Sequence, residues 1–348
     1  MKIAYILPKL ANQGPVIVAK DIIENIKENV DLIDVYYFDD VREVDFDCNT
    51  YRIGLFDKID FSKYDIVHSH MLRPDFYVWF HRKKSNNKTI FISTLHQNIY
   101  DNLKGNYNPF IAYFFEKIWL FLLKKQDYVI TLTNEMKAIY AKKTKLNLQT
   151  IYNGRNCQNK IDENIYIDEK DTLEQIKSKY KVIGSHCLLT KRKGIHQIVE
   201  SLTLLEDYAL IIVGDGQEKE NLLNLAKKLG VEERCYFLGY KSNATVYLNY
   251  FDVYVMSSYS EGFPLGLLEA GLMKLPVVCS DIPIFRELFT DKEVCFFKLE
   301  NIQSLAKAIS ECYENKETLA NSIYSLIQEE YSVNKMGQNY MNLYKKIH

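Results

Sequence analysis

Short runs of β-branched and aromatic residues alternate with longer helical patterns along the whole chain, and that rhythm leaves few architectures open. A strand–helix–strand repeat lays its strands parallel, because each crossover helix returns the chain to the edge where the previous strand began. In the first half the strands read KIAYIL, IDVYYF, DIVHSH, TIFIST, DYVITL and TIYN, with helices near 16–28, 75–84, 109–125 and 135–143. The polar stretch 161–171 can bury little and reads as a linker. The alternation then restarts with KVIGSHCLL, ALIIVGDG, CYFLGY, DVYVMSS, PVVCS and VCFFKL. A chain of 348 residues is long enough for two cores. The expectation is an α/β chain with domains at 1–165 and 172–330, each a doubly wound parallel sheet, facing a central cleft. A last helix within 331–348 is expected to pack back on the first domain. In open sheets of this kind ligands bind beyond the carboxyl ends of the strands.

Composition excludes several classes. Hydrophobic residues make up 47% and charged residues 26%, which is globular rather than disordered. A net charge of −1 gives no global nucleic-acid signal, and no nucleic-acid partner is expected. The first 155 residues nonetheless carry a small basic excess, concentrated in Arg82-Lys83-Lys84, Lys88, Lys124-Lys125 and Lys142-Lys143-Lys145. Most such clusters are solvated helix ends, and a minority face an anionic partner such as a phosphorylated lipid or a membrane surface. The seven cysteines (48, 157, 187, 235, 279, 295 and 312) show neither a CxxC pair nor metal-ligand spacing, which fits reduced thiols in a cytoplasmic protein. MKIAYILPKL has no small-residue cleavage site and does not read as a signal peptide. PFIAYFFEKIWLFLLKK, broken by Glu116 and Lys117, is too short to span a bilayer and reads as a buried or interfacial helix.

The most informative stretch is SSYSEGFPLGLLEAGLMKLPVVCSD. It reads as a buried strand ending at Met256, a turn holding Glu261, Gly262 and Phe263, and a helix whose first residue is Pro264. Proline suits that position because its missing N–H would have had no partner. The amides of Leu265, Gly266 and Leu267 then point from the helix start as an anion site, and Gly266 lets a phosphate approach the backbone. Glu261 at the mouth and Glu269 one turn inside suit a nucleotide-sugar, one carboxylate accepting from sugar hydroxyls and the other from the ribose diol. In TKRKG, Lys193 opens a helix after the domain's first strand, where it can stabilise a leaving diphosphate as charge grows on it.

The pair Glu261 and Glu269 within EGFPLGLLE resembles the signature of the retaining family-4 glycosyltransferases of GT-B fold, the glycosyl transferases of group 1. DIVHSH, TIFISTLH, ITLTNEMKAIY, IYNG, LIIVGDGQEKENLL, FLGY and PVVCSDIPIFREL resemble that family's other blocks, in the same order. The resemblance implies two Rossmann-like domains, an acceptor side first and a nucleotide-sugar side second. It implies transfer of a sugar, UDP-linked by expectation, to a hydroxyl of a glycan or lipid-linked oligosaccharide in surface polysaccharide biosynthesis. The enzyme would be metal-independent, cytoplasmic and peripheral at the inner face of the membrane.

On the same resemblance His96, ending ISTLH, lies beside the transferred sugar, and Gly14 approaches the phosphate or acceptor from a loop after the first strand. Relatives pair two glycines there, whereas this chain has Gln13-Gly14. The family places an arginine six residues before Lys193, but that position is Cys187, so the second cation is Arg192 or Lys191. His68 and His70 share a strand face without a third ligand and read as structural or acceptor-lining. Gly214-Asp215-Gly216 does not complete GxGxxG and reads as a tight turn, and Asp45-Phe46-Asp47 lacks the context of a metal motif. A sugar-nucleotide epimerase and a non-catalytic binding subunit of the same fold are the rival readings.

Overall fold

The computed structural model describes residues 1–82, 88–104, 108–156 and 169–348. Lys83, Lys84, Cys157 and positions 161–168 of the expected linker lie outside the described residues. The chain divides into two compact units, Met1–Arg155 with Tyr331–His348, and Asn156–Glu330.

The first unit carries strands β1 (Lys2–Leu7), β2 (Leu32–Tyr37), β3 (Asn49–Arg52), β4 (Ile66–His70), β5 (Ile90–Leu95), β6 (Tyr128–Thr131) and β7 (Leu148–Thr150). Its helices include α1 (Gly14–Ile26), α2 (Leu72–His81), α3 (Ile99–Lys104), α4 (Pro109–Leu123) and α5 (Asn134–Lys143). The strands form a parallel sheet in the order β3-β2-β1-β4-β5-β6-β7. Five of the six β1 residues are buried, as expected of a strand covered on both faces. The strand order reverses between β1 and β4, so the loops leaving those two strands flank the crevice where such sheets bind ligands. Helices α1 and α2 begin two to three residues before their expected starts. TIYN is displaced too: the strand is Leu148–Thr150, and only Thr150 is shared.

In the second unit come α6 (Lys170–Lys179), β8 (Lys181–His186), α7 (Ile195–Ser201), β9 (Tyr208–Val213), α8 (Lys219–Leu229), β10 (Cys235–Phe237) and β11 (Val253–Met256). They are followed by α9 (Leu265–Leu272), β12 (Val277–Ser280), α10 (Pro283–Leu288), β13 (Cys295–Phe297), α11 (Ile302–Glu314) and α12 (Lys316–Glu330). This parallel sheet runs β10-β9-β8-β11-β12-β13 and reverses between β8 and β11. Helix α6 takes over the end of the expected linker, because Leu173 and Ile176, three residues apart, are buried on one helix face.

The final helix, α13 (Val333–Ile347), belongs to the first unit and packs on α1. Ser332 caps it by accepting the Lys335 amide at 3.3 Å. A Cβ on Gly337 would stand 2.5 Å from Asn25 Cβ, so the two helices approach too closely there for any side chain. Among the described residues Cys48, Cys187, Cys235, Cys279, Cys295 and Cys312 are free thiols.

Candidate functional site

In the second unit the reversal point lies between β8, ending at His186, and β11, ending at Met256. The loops leaving these strands are laced together. Tyr259 donates its amide to the Arg192 carbonyl at 2.8 Å, and Ser257 Oγ donates to the Lys193 carbonyl at 2.9 Å. This lacing brings three of the expected site residues into one cluster. Lys193 Nζ donates to Glu261 Oε1 at 2.6 Å, Arg192 donates to Glu261 Oε2 at 3.0 Å, and Ser258 Oγ donates to Oε1. Burial alone would raise the Glu261 pKa, but Lys193 and Arg192, by charge and hydrogen bond, hold it down at about 2. Arg192 is thus the second cation on Glu261, while Lys191 in the same turn is exposed. Two cations on one carboxylate leave the cluster with one net positive charge.

Glu269 sits in a second, neighbouring arrangement. Its Oε2 lies 2.7 Å from His186 Nε2. A Cβ on Gly266 would stand 2.9 Å from the Tyr254 hydroxyl and 3.2 Å from His186 Nε2. The bare side of Gly266 is therefore filled by Tyr254 and His186, which revises its expected purpose: the missing side chain seats the Glu269–His186 pair. Pro264 is also revised, since the helix begins at Leu265 and Pro264 precedes it. The amides of Leu265 and Leu267 donate at 3.0 Å to the carbonyls of Phe263 and Pro264. Of the three amides expected to face an anion, those of Leu265 and Leu267 are thus engaged, and none of these bonds occupies that of Gly266. Gly262 and Phe263 are buried in the turn. His186 escaped the sequence reading, although it ends its strand as His96 ends ISTLH. The GDG turn is stitched to its surroundings: Gly214 donates to the Gly239 carbonyl and Leu189 to that of Asp215.

The first unit holds a separate cluster on β4 and β5. His70 Nδ1 lies 2.7 Å from His96 Nε2, and their rings stack. His68 is held by Tyr344 at Nδ1 and Thr94 at Nε2, both at 2.7 Å, and the Tyr344 hydroxyl lies 2.9 Å from that of Tyr5. Burial lowers the pKa values of His68 and His96 to about 3, and it takes His70 well below the usual histidine range. The rings are therefore neutral. His70 Nε2 is buried without a partner. An unmet acceptor costs less than an unmet N–H, so the favoured tautomer has His70 Nδ1–H donating to His96. Gly14 is the first residue of α1, at the carboxyl edge beyond β1, and not within the loop. Asp47 of the DxD segment pairs with Lys27.

Residues 167–328 match the family model "Glycosyl transferases group 1", and residues 49–159 match "Glycosyltransferase Family 4". The chain is 28% identical to the O-antigen biosynthesis glycosyltransferase WclY of Escherichia coli, over 100% of this chain and 99% of that one. It is also 28% identical over 159 residues to the N,N'-diacetylbacillosaminyl-diphospho-undecaprenol alpha-1,3-N-acetylgalactosaminyltransferase of Campylobacter jejuni, covering 44% of this chain and 42% of that one. Among solved structures, Anabaena HepE in complex with UDP and glucose has a TM-score of 0.82 at 16% identity, over 99% of this chain and 100% of that chain. Sucrose-phosphate synthase of Thermosynechococcus elongatus has a TM-score of 0.79 at 16% identity, over 99% and 98%. At such identity the likeness is one of fold.

Proposed function

This chain belongs to the glycosyl transferases of group 1, as a glycosyltransferase of GT-B fold, and on that premise we propose a specific reaction for it. It moves a hexose-type sugar from UDP to a hydroxyl of a glycan or lipid-linked oligosaccharide in surface polysaccharide biosynthesis, with retention of configuration. The observation that carries this reading is the Arg192–Lys193–Glu261 cluster at the strand-order reversal of the second sheet. The name of WclY supports the pathway, and the UDP in the HepE complex supports the donor.

As the bond from sugar to β-phosphate breaks, negative charge gathers on the departing diphosphate. Lys193 and Arg192 stand ready to meet it, already oriented by Glu261, so little reorganisation is needed during the reaction. The Gly266 amide adds a donor. Glu269, oriented by His186, takes the ribose diol, and Glu261 keeps its remaining lone-pair capacity for a sugar hydroxyl. His96 is the first unit's residue assigned to the transferred sugar, and Gly14 to the phosphate or acceptor. On the one-face route of retention, the departing phosphate takes the acceptor proton. Glu261 already faces two cations and Glu269 a histidine, and we assign charge neutralisation to the basic side chains and not to a metal.

The test is turnover of a panel of UDP-sugars with a lipid-linked acceptor pool, with product anomeric configuration read by NMR and reactions repeated in EDTA. The expected result is a retained linkage formed equally with and without chelator. An epimerised sugar from donor alone, or tight UDP binding with no turnover, would replace this reading by an epimerase or a binding subunit. Loss of activity in EDTA restored by Mn²⁺ would overturn metal independence.

A further inference from the structure

Helix α4 is apolar on both faces. Its inner face is anchored by buried groups: Trp119 Nε1 donates to Asp75 Oδ2 at 2.7 Å, and buried Glu116 pairs with Lys143 at 2.6 Å. Its outer face, where a surface helix ordinarily carries charge, is aromatic. Phe110 is 85% exposed, Phe114 62% and Phe121 55%, with Tyr113, Phe115 and Ile118 also turned outward. The patch continues onto α2 through stacked and tilted rings, Phe121 to Trp79 at 6.0 Å, Trp79 to Phe76 at 5.9 Å and Phe76 to Phe80 at 6.2 Å. An apolar surface of this extent marks a binding face.

The charges around it indicate what binds. Lys117 lies 5.1 Å from the Tyr113 ring, Lys124 lies 5.8 Å from Phe121, and Lys125 lies 5.0 Å from Trp79. Glu116, the one acid on the helix, is buried and neutralised by Lys143, so it sets no negative charge on this face. Outward Phe and Tyr with lysine ammonium groups beside the rings, and no exposed acid on the helix, is the chemistry of an interfacial helix on an anionic bilayer. Among the described residues no helix is long and apolar enough to cross a membrane. We propose that the outer face of α4, continued by α2, docks on an anionic lipid bilayer. Its rings would lie among the headgroups and upper acyl chains, and its lysines against the phosphates.

The test is flotation with vesicles of phosphatidylcholine alone or with about one-third phosphatidylglycerol, a composition that supplies negative surface potential. Neither donor nor acceptor is present, so the result stands apart from the transfer reaction. Binding is expected to the anionic vesicles, with a blue shift of tryptophan emission that Trp79→Phe removes without loss of binding, because Trp119 is buried. Phe110→Ser/Phe114→Ser/Phe121→Ser should weaken partitioning on the order of 10²-fold. These side chains point outward, and circular dichroism will confirm the fold. Lys117→Glu/Lys124→Glu should weaken binding to anionic vesicles alone. No vesicle binding, or binding indifferent to the triple substitution, would overturn the proposal. So would concentration-dependent self-association, abolished by the same substitutions, in place of lipid binding, because a second copy would then cover the face.

Discussion

Glu261 binds Lys193 and Arg192 before any diphosphate arrives, so the two cations are held in place but also partly neutralised. Their attraction to the donor phosphates grows as the leaving group gains charge. Lys193→Ala is therefore expected to lower kcat by about 10²–10³-fold with little change in donor KM. If Arg192→Ala gives that loss and Lys193→Ala less than about threefold, as for a solvated surface side chain, the leaving-group cation is Arg192. A second expectation concerns pH. His68 and His96 have folded pKa values of about 3 against 6.5 in the unfolded chain, so the unfolded state takes up protons that the fold refuses. Their contribution is complete above pH 6.5 and is lost as pH falls toward 3, at about 2 kcal/mol per histidine by pH 5. Glu261, depressed to about 2, acts in the same direction in a lower window, below its ordinary value of 4.5. Denaturant midpoints between pH 7 and 5 should fall, and fall less in His96→Gln; a midpoint insensitive to pH in that range would remove the buried-imidazole account. Lys193, Glu261 and Glu269 were legible because their chemistry is carried by residue type and local spacing. His186 was not, since the carboxylate that gives it a purpose lies 83 residues further along the chain.

At the scale of single elements, the start of α9 shows how close packing behind a helix can orient a site side chain. Gly266→Ala places a methyl within 2.9 Å of the Tyr254 hydroxyl and 3.2 Å of His186, so the imidazole must shift and Glu269 loses its orienting partner. UDP affinity by calorimetry is expected to fall about tenfold, the order expected when the partner that orients a binding side chain is displaced. Unchanged affinity would show that Glu269 does not need His186. The elements that could be read from the chain were those with apolar runs, such as β9, buried at all six positions. Those missed lacked that signal. β3 is the four-residue NTYR, mostly exposed, and is a strand because β2 beside it offers a free edge. α3 spans only six residues, and α6 shows just two buried apolar positions inside a charged segment. β7 was misplaced because the β-branched TIY looks more like a strand than LQT, yet pairing with β6 selects Leu148–Thr150.

Over the whole molecule, the first unit is discontinuous in sequence, closed by α13 after the second unit has been traversed. Tyr344 and Tyr340 on that helix are fully buried, and Tyr344 supplies the hydroxyl that holds His68. Gly337→Val is expected to force α13 from α1 and destabilise the first unit by about 1–3 kcal/mol, the usual range for overpacking. Differential scanning calorimetry should show the loss in one of two transitions; a single transition shifted as a whole would mean that the units unfold as one. The same threading bears on how the protein is made. Domains ordinarily fold in the order they leave the ribosome. Here the unit translated first must wait, its histidine face uncovered, until residues 331–348 emerge. The second unit has by then had its entire sequence available, so the order of completion reverses the order of synthesis, and a message cut short near its 3′ end would yield a finished second unit attached to an unfinished first.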